Sequence, residues 1–308
     1  MAAGAGSTGP VREADLMPEL FRLADSASLR HQQRSVQLVR WELLLLTAAA
    51  AVGSVGSRPF AWAAALAYLG TAGLAAGVSR RNPQGRWYDG RAAAESVKTL
   101  AWKYAVRADA YQPPPTTLPD AEGLYHLQLR GILRGFRHSA VLPGDAERRA
   151  EVTVAMRSLR EQPLAVRREV YLRERVQAQH RWYRAKAAYC DRAGRLTEQL
   201  GIALPAMGLV LAVLRATGWS HYDAPGAVSA VAVSVIAWAQ LRQYRPLAAA
   251  YRLAADELRI IQDQLTQLDP AAEDSEELWA RLARDAEDAV SREHTTWQAR
   301  REVRGPSL

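Results

Sequence analysis

Two long stretches of the chain carry almost no charge. From Leu43 to Val78 only Arg58 is charged, and the chain reads LLLLTAAAAVGSVG, a short SRP break, then FAWAAALAYLGTAGLAAGV. From Leu200 to Leu241 the pattern recurs as GIALPAMGLVLAVL, a polar connector from Arg215 to Pro225, and GAVSAVAVSVIAWAQL, with Arg215 and Asp223 its only charges. An α-helix rises about 1.5 Å per residue, so about 20 apolar residues cross a hydrocarbon layer of about 30 Å. Residues 59–78 and 224–241 come close to that length. The first apolar segment begins beside Arg40 and Glu42, whose charges belong at the interface, and the third contains Pro205. The pattern predicts an all-α membrane protein with four transmembrane helices as two hairpins. Long cytosolic amphipathic helices flank them, and no strand pattern of useful length appears.

The two halves correspond beyond the hairpins. Each apolar pair sits between amphipathic helices, and Glu95 follows Val78 much as Glu257 follows Leu241, which reads as an internal duplication. Between the halves QPPPTTLP, residues 112–119, breaks any helix. The predicted organisation is a disordered tail over 1–15, a first two-helix membrane unit over 16–111, and a proline-rich linker with a cytosolic helical hairpin over 112–160. A second two-helix membrane unit with a C-terminal helix follows over 161–308. Within the linker region, Ala121 to Ser139 and Asp145 to Arg160 read as two helices around LPGD. Pro163 to Gln199 predicts one stalk helix entering the third apolar segment, with a seam at Tyr171, Ala178, Trp182, Ala185, Tyr189 and Leu196. Near the end, Glu273 to Val303 predicts a helix with Leu278, Leu282, Ala286, Ala289, Val290 and Trp297 on its packed side.

Basic residues set the expected orientation. Arg22, Arg30, Arg34 and Arg40 precede the first hairpin, and Arg80, Arg81, Arg86, Arg91, Lys98, Lys103 and Arg107 follow it. Arg181, Arg184, Lys186, Arg192 and Arg195 precede the second, and Arg242, Arg245, Arg252 and Arg259 follow it, against one arginine in each inter-helix turn. By the positive-inside rule both hairpins enter and leave on the cytoplasmic side, so both termini and the middle of the chain are expected in the cytoplasm. The start is rich in Gly and Ala with no early apolar run, unlike a cleavable signal peptide.

Composition adds little chemistry. A formal charge of +8 suits an anionic surface, and 49% apolar residues are ample for a core. One cysteine, Cys190, excludes an internal disulfide and a Cys-based zinc site. The six histidines have no metal-ligand spacing, and there is no GxGxxG, Walker loop, HExxH or Gly-x-Ser-x-Gly. No acidic or basic group lies mid-span, which argues against a proton-coupled or ion-coupled transporter. The expectation is a non-enzyme with no cofactor and no metal. Arginine-rich patches such as Arg148 and Arg149, or Arg167 and Arg168, carry acidic neighbours, as a solvated face does, so no nucleic-acid partner is expected.

Candidate contact residues follow from spacing. Trp87, Arg91, Glu95, Lys98 and Trp102 share one helical stripe with a charged centre between two indoles, either ion-paired within the helix or meeting another helix or subunit. Gly73 and Gly77, and Gly208 with Ala212 and Ala216, place small residues at four-residue spacing, which allows close helix approach. Trp182, Tyr183 and Trp297 complete the candidate inter-helix or oligomer contacts.

A charged helix, an apolar hairpin and then GRWYDGRAAAESVKTLAWKY resemble the SLATT family of bacterial membrane domains. QAQHRWYRAKAAYCDR before the second hairpin, AAYRLAADEL after it and EDAVSREHTTWQARR at the end are similar to another branch of that family. The likeness covers most of residues 16–303, as a tandem of two units. Trp87, Arg91, Glu95, Trp102, Trp182, Tyr183, Glu293, His294 and Trp297 are its family-like positions. The resemblance implies an effector beside nucleotide-generating or nucleotide-sensing bacterial immune systems that oligomerises and opens or disrupts the inner membrane. It implies as partners the lipid bilayer, further copies of the chain and a cytosolic nucleotide-signalling or sensor protein, and it defines no catalytic residue. The sequence therefore points to an oligomeric, channel-like or pore-forming membrane effector, with a non-conducting anchored scaffold for a cytosolic partner as the alternative.

Overall fold

The computed structural model describes residues 11–55, 57–81, 83–111, 121–136, 142–219 and 224–303, and the side chains of 78–81, 83–84 and 291–303 lie outside the described residues. The elements are α1 (Glu13–Leu16), α2 (Glu19–Gly53), α3 (Arg58–Arg81), α4 (Pro83–Ala105), α5 (Ala121–Gly135), α6 (Val154–Glu161), α7 (Leu164–Tyr171), α8 (Gln177–Ala216), α9 (Ala224–Arg242), α10 (Tyr244–Gln267) and α11 (Ser275–Val303). Among the described residues there is no strand. The proline-rich linker lies outside them, as do tail residues 1–10. Residues 13–15, placed in the tail by the sequence pattern, begin α1.

The chain folds into two compact units, each drawing on both halves of the duplication: residues 1–29, 86–184 and 253–308 in unit 1, and 30–85 and 185–252 in unit 2. Four helices are long and apolar enough to cross a membrane, and they contain α2, α3, α8 and α9. Their apolar segments belong to unit 2.

Unit 1 is built around α4. Trp102 packs edge-on against Tyr171 at 5.5 Å, and Tyr171 edge-on against Trp279 at 5.7 Å, which ties α4, α7 and α11 together. Buried indoles and phenols need a partner for their polar ends. Here Trp102 Nε1 donates to Glu13 at 3.3 Å, Trp279 Nε1 to the Val106 carbonyl at 2.7 Å and the Tyr171 hydroxyl to Glu287 at 2.9 Å. A second aromatic group joins Tyr104, Tyr111 and Tyr125, with the Tyr125 hydroxyl donating to the Ala150 carbonyl at 3.0 Å.

Helix α4 ends in a Schellman turn. Arg107 adopts φ 57°, Ala108 N donates to the Lys103 carbonyl at 2.9 Å and Arg107 N to that of Tyr104 at 3.4 Å. Helix ends leave carbonyls without intrahelical donors, and the negative end of the dipole attracts cations. Arg160 donates to the Tyr104 and Tyr111 carbonyls at 2.9 and 2.7 Å, and Arg167 to the Val106 carbonyl at 2.8 Å. Two guanidinium groups and one indole thus cap a single helix end. Helix α8 ends the same way at Gly218, with φ 81° and a bond from Trp219 N to the Leu214 carbonyl at 3.0 Å.

Three expectations are corrected here. The helix expected from Asp145 starts at Val154: Glu151 is extended, and the Thr153 hydroxyl accepts from Met156 N at 3.1 Å and so opens a new helix. The stalk seam falls on other positions beyond Tyr171. Tyr183, Ala187, Cys190 and Gly194 are buried, whereas Trp182, Tyr189 and Leu196 are exposed. Its cause is a π-turn at Leu172–Val176, which inserts one residue and advances the helical phase. On α11 the packed side is Trp279, Ala283, Ala286, Glu287 and Val290, and Leu278 is exposed.

Unit 2 is packed the opposite way from a water-soluble bundle. Apart from Tyr244 its buried positions are small, among them Ala49, Ala64, Thr71 and Ala232, while large apolar side chains point outward. Leu66 is 67% exposed, Leu69 70% and Ile202 75%. Small residues let helix backbones approach closely, which is how helices associate in lipid. Gly208 faces Val228, where an added Cβ would lie 3.7 Å from a methyl, and Gly53 faces Ala64 at 3.6 Å. The Thr47 and Ser234 hydroxyls share a hydrogen bond of 2.8 Å between α2 and α9.

Candidate functional site

The outward face of unit 2 is the first candidate site. Phe60, Trp62, Leu66, Tyr68 and Leu69 on α3 are exposed, as are Ile202, Met207, Leu209, Val210 and Val213 on α8 and Val233 and Ile236 on α9. An apolar exposed surface of this extent marks a membrane or protein contact. Gly73 and Gly77 have nothing within 4 Å of an added Cβ, so that face of α3 has no neighbour among the described residues of the chain.

The second is an ion cluster in unit 1. Arg175, held in the π-turn, and Glu287 on α11 are both buried, at 1% and 0% side-chain exposure. The Glu287 carboxylate accepts four bonds. Oε1 takes Tyr171 Oη at 2.9 Å and Arg175 Nε at 2.8 Å, and Oε2 takes Thr99 Oγ1 at 3.0 Å and Arg175 Nη2 at 2.7 Å. A buried ion pair persists only with geometry of this kind, because desolvating each charge costs several kcal/mol. Burial works against the Arg175 charge, but the adjoining Glu287 outweighs it and raises the guanidinium above its usual range. The Tyr171 hydroxyl is pushed well above the usual phenol value by burial and then by Glu287. Arg167, also fully buried, donates to the Gln162 carbonyl at 3.0 Å and pairs with Glu276.

The predicted stripe on α4 meets other parts of the same chain. Arg91 pairs with Glu95 at 2.6 Å and lies 3.4 Å from Asp25 of α2. Lys98 reaches Glu13 of α1 at 2.5 Å, and the buried Trp102 donates to the same carboxylate. The Trp87 carbonyl accepts from Ser28 at 3.2 Å. Tyr183 is buried and contacts the half-exposed Trp182 edge-on at 5.2 Å. Glu293, His294 and Trp297 lie on α11 with side chains outside the described residues.

The solvated face expected at Arg167 and Arg168 is corrected, since Arg167 is fully buried, and sequence reasoning passed over Arg175 and Glu287, because charged side chains are ordinarily at the surface. One signal was present: Glu287 falls between Ala283, Ala286 and Val290 on an otherwise apolar helix face. Among the described residues no group of three or more His, Cys, Asp or Glu is placed to hold a metal ion.

Residues 18–168 match the family model described as SMODS and SLOG-associating 2TM effector domain 3, and residues 171–297 match SMODS and SLOG-associating 2TM effector domain 1. No curated protein and no solved structure matches the chain. The two matches fall end to end, each containing one apolar hairpin, and the four spans they imply are the four apolar helices of the structure. The chain belongs to the SLATT family of two-transmembrane-helix effector domains and carries two of them in tandem.

Proposed function

We propose that this membrane effector self-associates through the outward faces of its spans and, once activated, forms a conduction path or lesion in the bacterial inner membrane. It acts with both termini in the cytoplasm and without catalysis of its own. The observation that supports this reading most is the open surface around Gly73 and Gly77, where helix α3 has small residues at close-approach spacing and no neighbour there among the described residues. The family description pairs such domains with SMODS and SLOG partners, so a separate cytosolic nucleotide-signalling protein is the proposed trigger.

The test is flux from liposomes containing the purified full chain, paired with its mass in detergent. Gly73→Leu together with Gly77→Leu fills open space, leaves the chain's own packing intact and blocks approach of a second copy. The expected result is an oligomer and dye or ion release for the native chain, with both lost in the variant. An oligomer that passes neither ions nor dye under any stimulus would favour an anchored scaffold instead.

A further inference from the structure

Unit 2 holds a groove of about 690 Å³ between α2, α8, α9 and the start of α10. Its wall is apolar, from Leu43, Leu44, Leu196, Leu200, Val231 and Val235. Its polar lining is concentrated at one margin. Arg40 precedes the apolar segment of α2, Arg192 and Tyr189 precede that of α8, and Trp238 and Tyr244 lie where the segment of α9 ends. All five therefore sit where the spans meet the interface, the depth at which indole and phenol rings accumulate. Neither Arg40 nor Arg192 has an ion-pair or hydrogen-bond partner among the described residues. The α8 carboxylates beside Arg192 are already taken: Glu198 pairs with Arg245, and Asp191 with Arg252 at 2.6 Å.

We propose that this groove binds one anionic glycerophospholipid of the bilayer, its phosphate held by Arg40 and Arg192 and one acyl chain lying along the apolar wall. Three features select that occupant. Two unpaired guanidinium groups at one margin suit a phosphate, which they can grip in bidentate fashion. The apolar wall behind them suits a hydrocarbon chain and excludes a free polar anion. The volume falls within the roughly 300–1,000 Å³ of ordinary ligand sites, enough for part of one lipid, while the second acyl chain stays in the bilayer. Within the wall the Thr47 and Ser234 hydroxyls satisfy each other, so neither is an unpaired polar group facing a hydrocarbon tail. The site depends on unit 2 lying in a membrane and not on conduction, so lipid binding and flux fail separately.

Native mass spectra of the full chain in detergent, with phosphatidylglycerol or phosphatidylcholine added at equal concentration, test the site. The expected result is one phosphatidylglycerol retained per chain, on the order of tenfold over phosphatidylcholine, as two basic side chains at an anionic headgroup provide. Arg40→Gln with Arg192→Gln should remove that preference, and Arg195→Gln, an exposed arginine on the same helix outside the groove, should keep it. Leu196→Trp, at an exposed wall position, should reduce retention of both lipids. Equal retention of the two lipids by the native chain, or an undiminished preference in the double variant, would overturn the proposal. Displacement of the lipid by inorganic phosphate alone would assign the site to a free anion and overturn it equally.

Discussion

Glu287 takes every hydrogen bond its carboxylate can accept, and the buried Arg175 charge depends on it. Glu287→Gln keeps the shape and leaves that guanidinium without its counter-charge, so unit 1 should lose about 3–5 kcal/mol of stability, measured by chemical denaturation of the full chain in detergent. Replacing both members, Arg175→Met with Glu287→Leu, should recover most of the loss, because an apolar pair has no desolvation cost. A double variant as unstable as the single one would contradict this account. The tyrosines give a pH signature. Burial raises the phenols of Tyr104, Tyr111 and Tyr125 above their ordinary value of about 10. A folded-state value above the unfolded one means that the stabilisation is complete below pH of about 10 and is lost as pH rises towards the folded value. The denaturation midpoint of unit 1 should therefore fall in alkali, and Tyr125→Phe should flatten part of that fall while costing about 1 kcal/mol at neutral pH through its bond to Ala150. These residues were the least legible ones in the sequence. A tyrosine on an apolar stripe is readable as core, but an arginine or glutamate reads as surface until its partner from a distant segment is known.

At the scale of elements, the four spans were readable because an uncharged run of span length has few other destinations. Phase along a helix was not. The heptad count from Tyr171 to Leu196 assumed an unbroken α-helix, and the single residue inserted at Leu172–Val176 moved the buried set to Tyr183, Ala187 and Cys190. Nothing in LRERV marks a π-turn, and the partner of the Arg175 it contains, Glu287, lies in a distant segment. The onset of α6 was partly readable, because Thr153 is a good cap, but the apolar spacing upstream masked it. The end of α4 gives a prediction at this scale. Arg107 holds a left-handed conformation that costs an L-residue about 1 kcal/mol, and its charge adds to the burial that chiefly lowers the affinity of Arg160 and Arg167 for their protons. Arg107→Gly should raise the thermal midpoint of unit 1 by about 2–4 °C. A lowered midpoint would mean that the Arg107 side chain contributes more than its backbone costs.

For the whole molecule the two units divide the work by chemistry. Unit 1 buries aromatic and ionic groups with most of their polar atoms paired, Arg175 Nη1 and Arg107 Nε being exceptions. Unit 2 buries mainly alanine, with Thr71, Cys190 and Tyr244, and turns leucine, isoleucine and tryptophan outward. That inversion is stable only where the surroundings are apolar, since the exposed side chains would each cost about 1.5–3 kcal/mol in water. Flux and oligomer mass, with the Gly73 and Gly77 variants, decide what the inserted unit does. Whether it inserts is decided more directly by alkaline carbonate extraction of membranes containing the full chain. The account predicts that the chain stays in the pellet, even though the alkali weakens the tyrosine-rich core of unit 1, because the spans hold it by hydrocarbon contact and not by charge. Recovery of the chain in the supernatant as a folded, monodisperse species without detergent would contradict it.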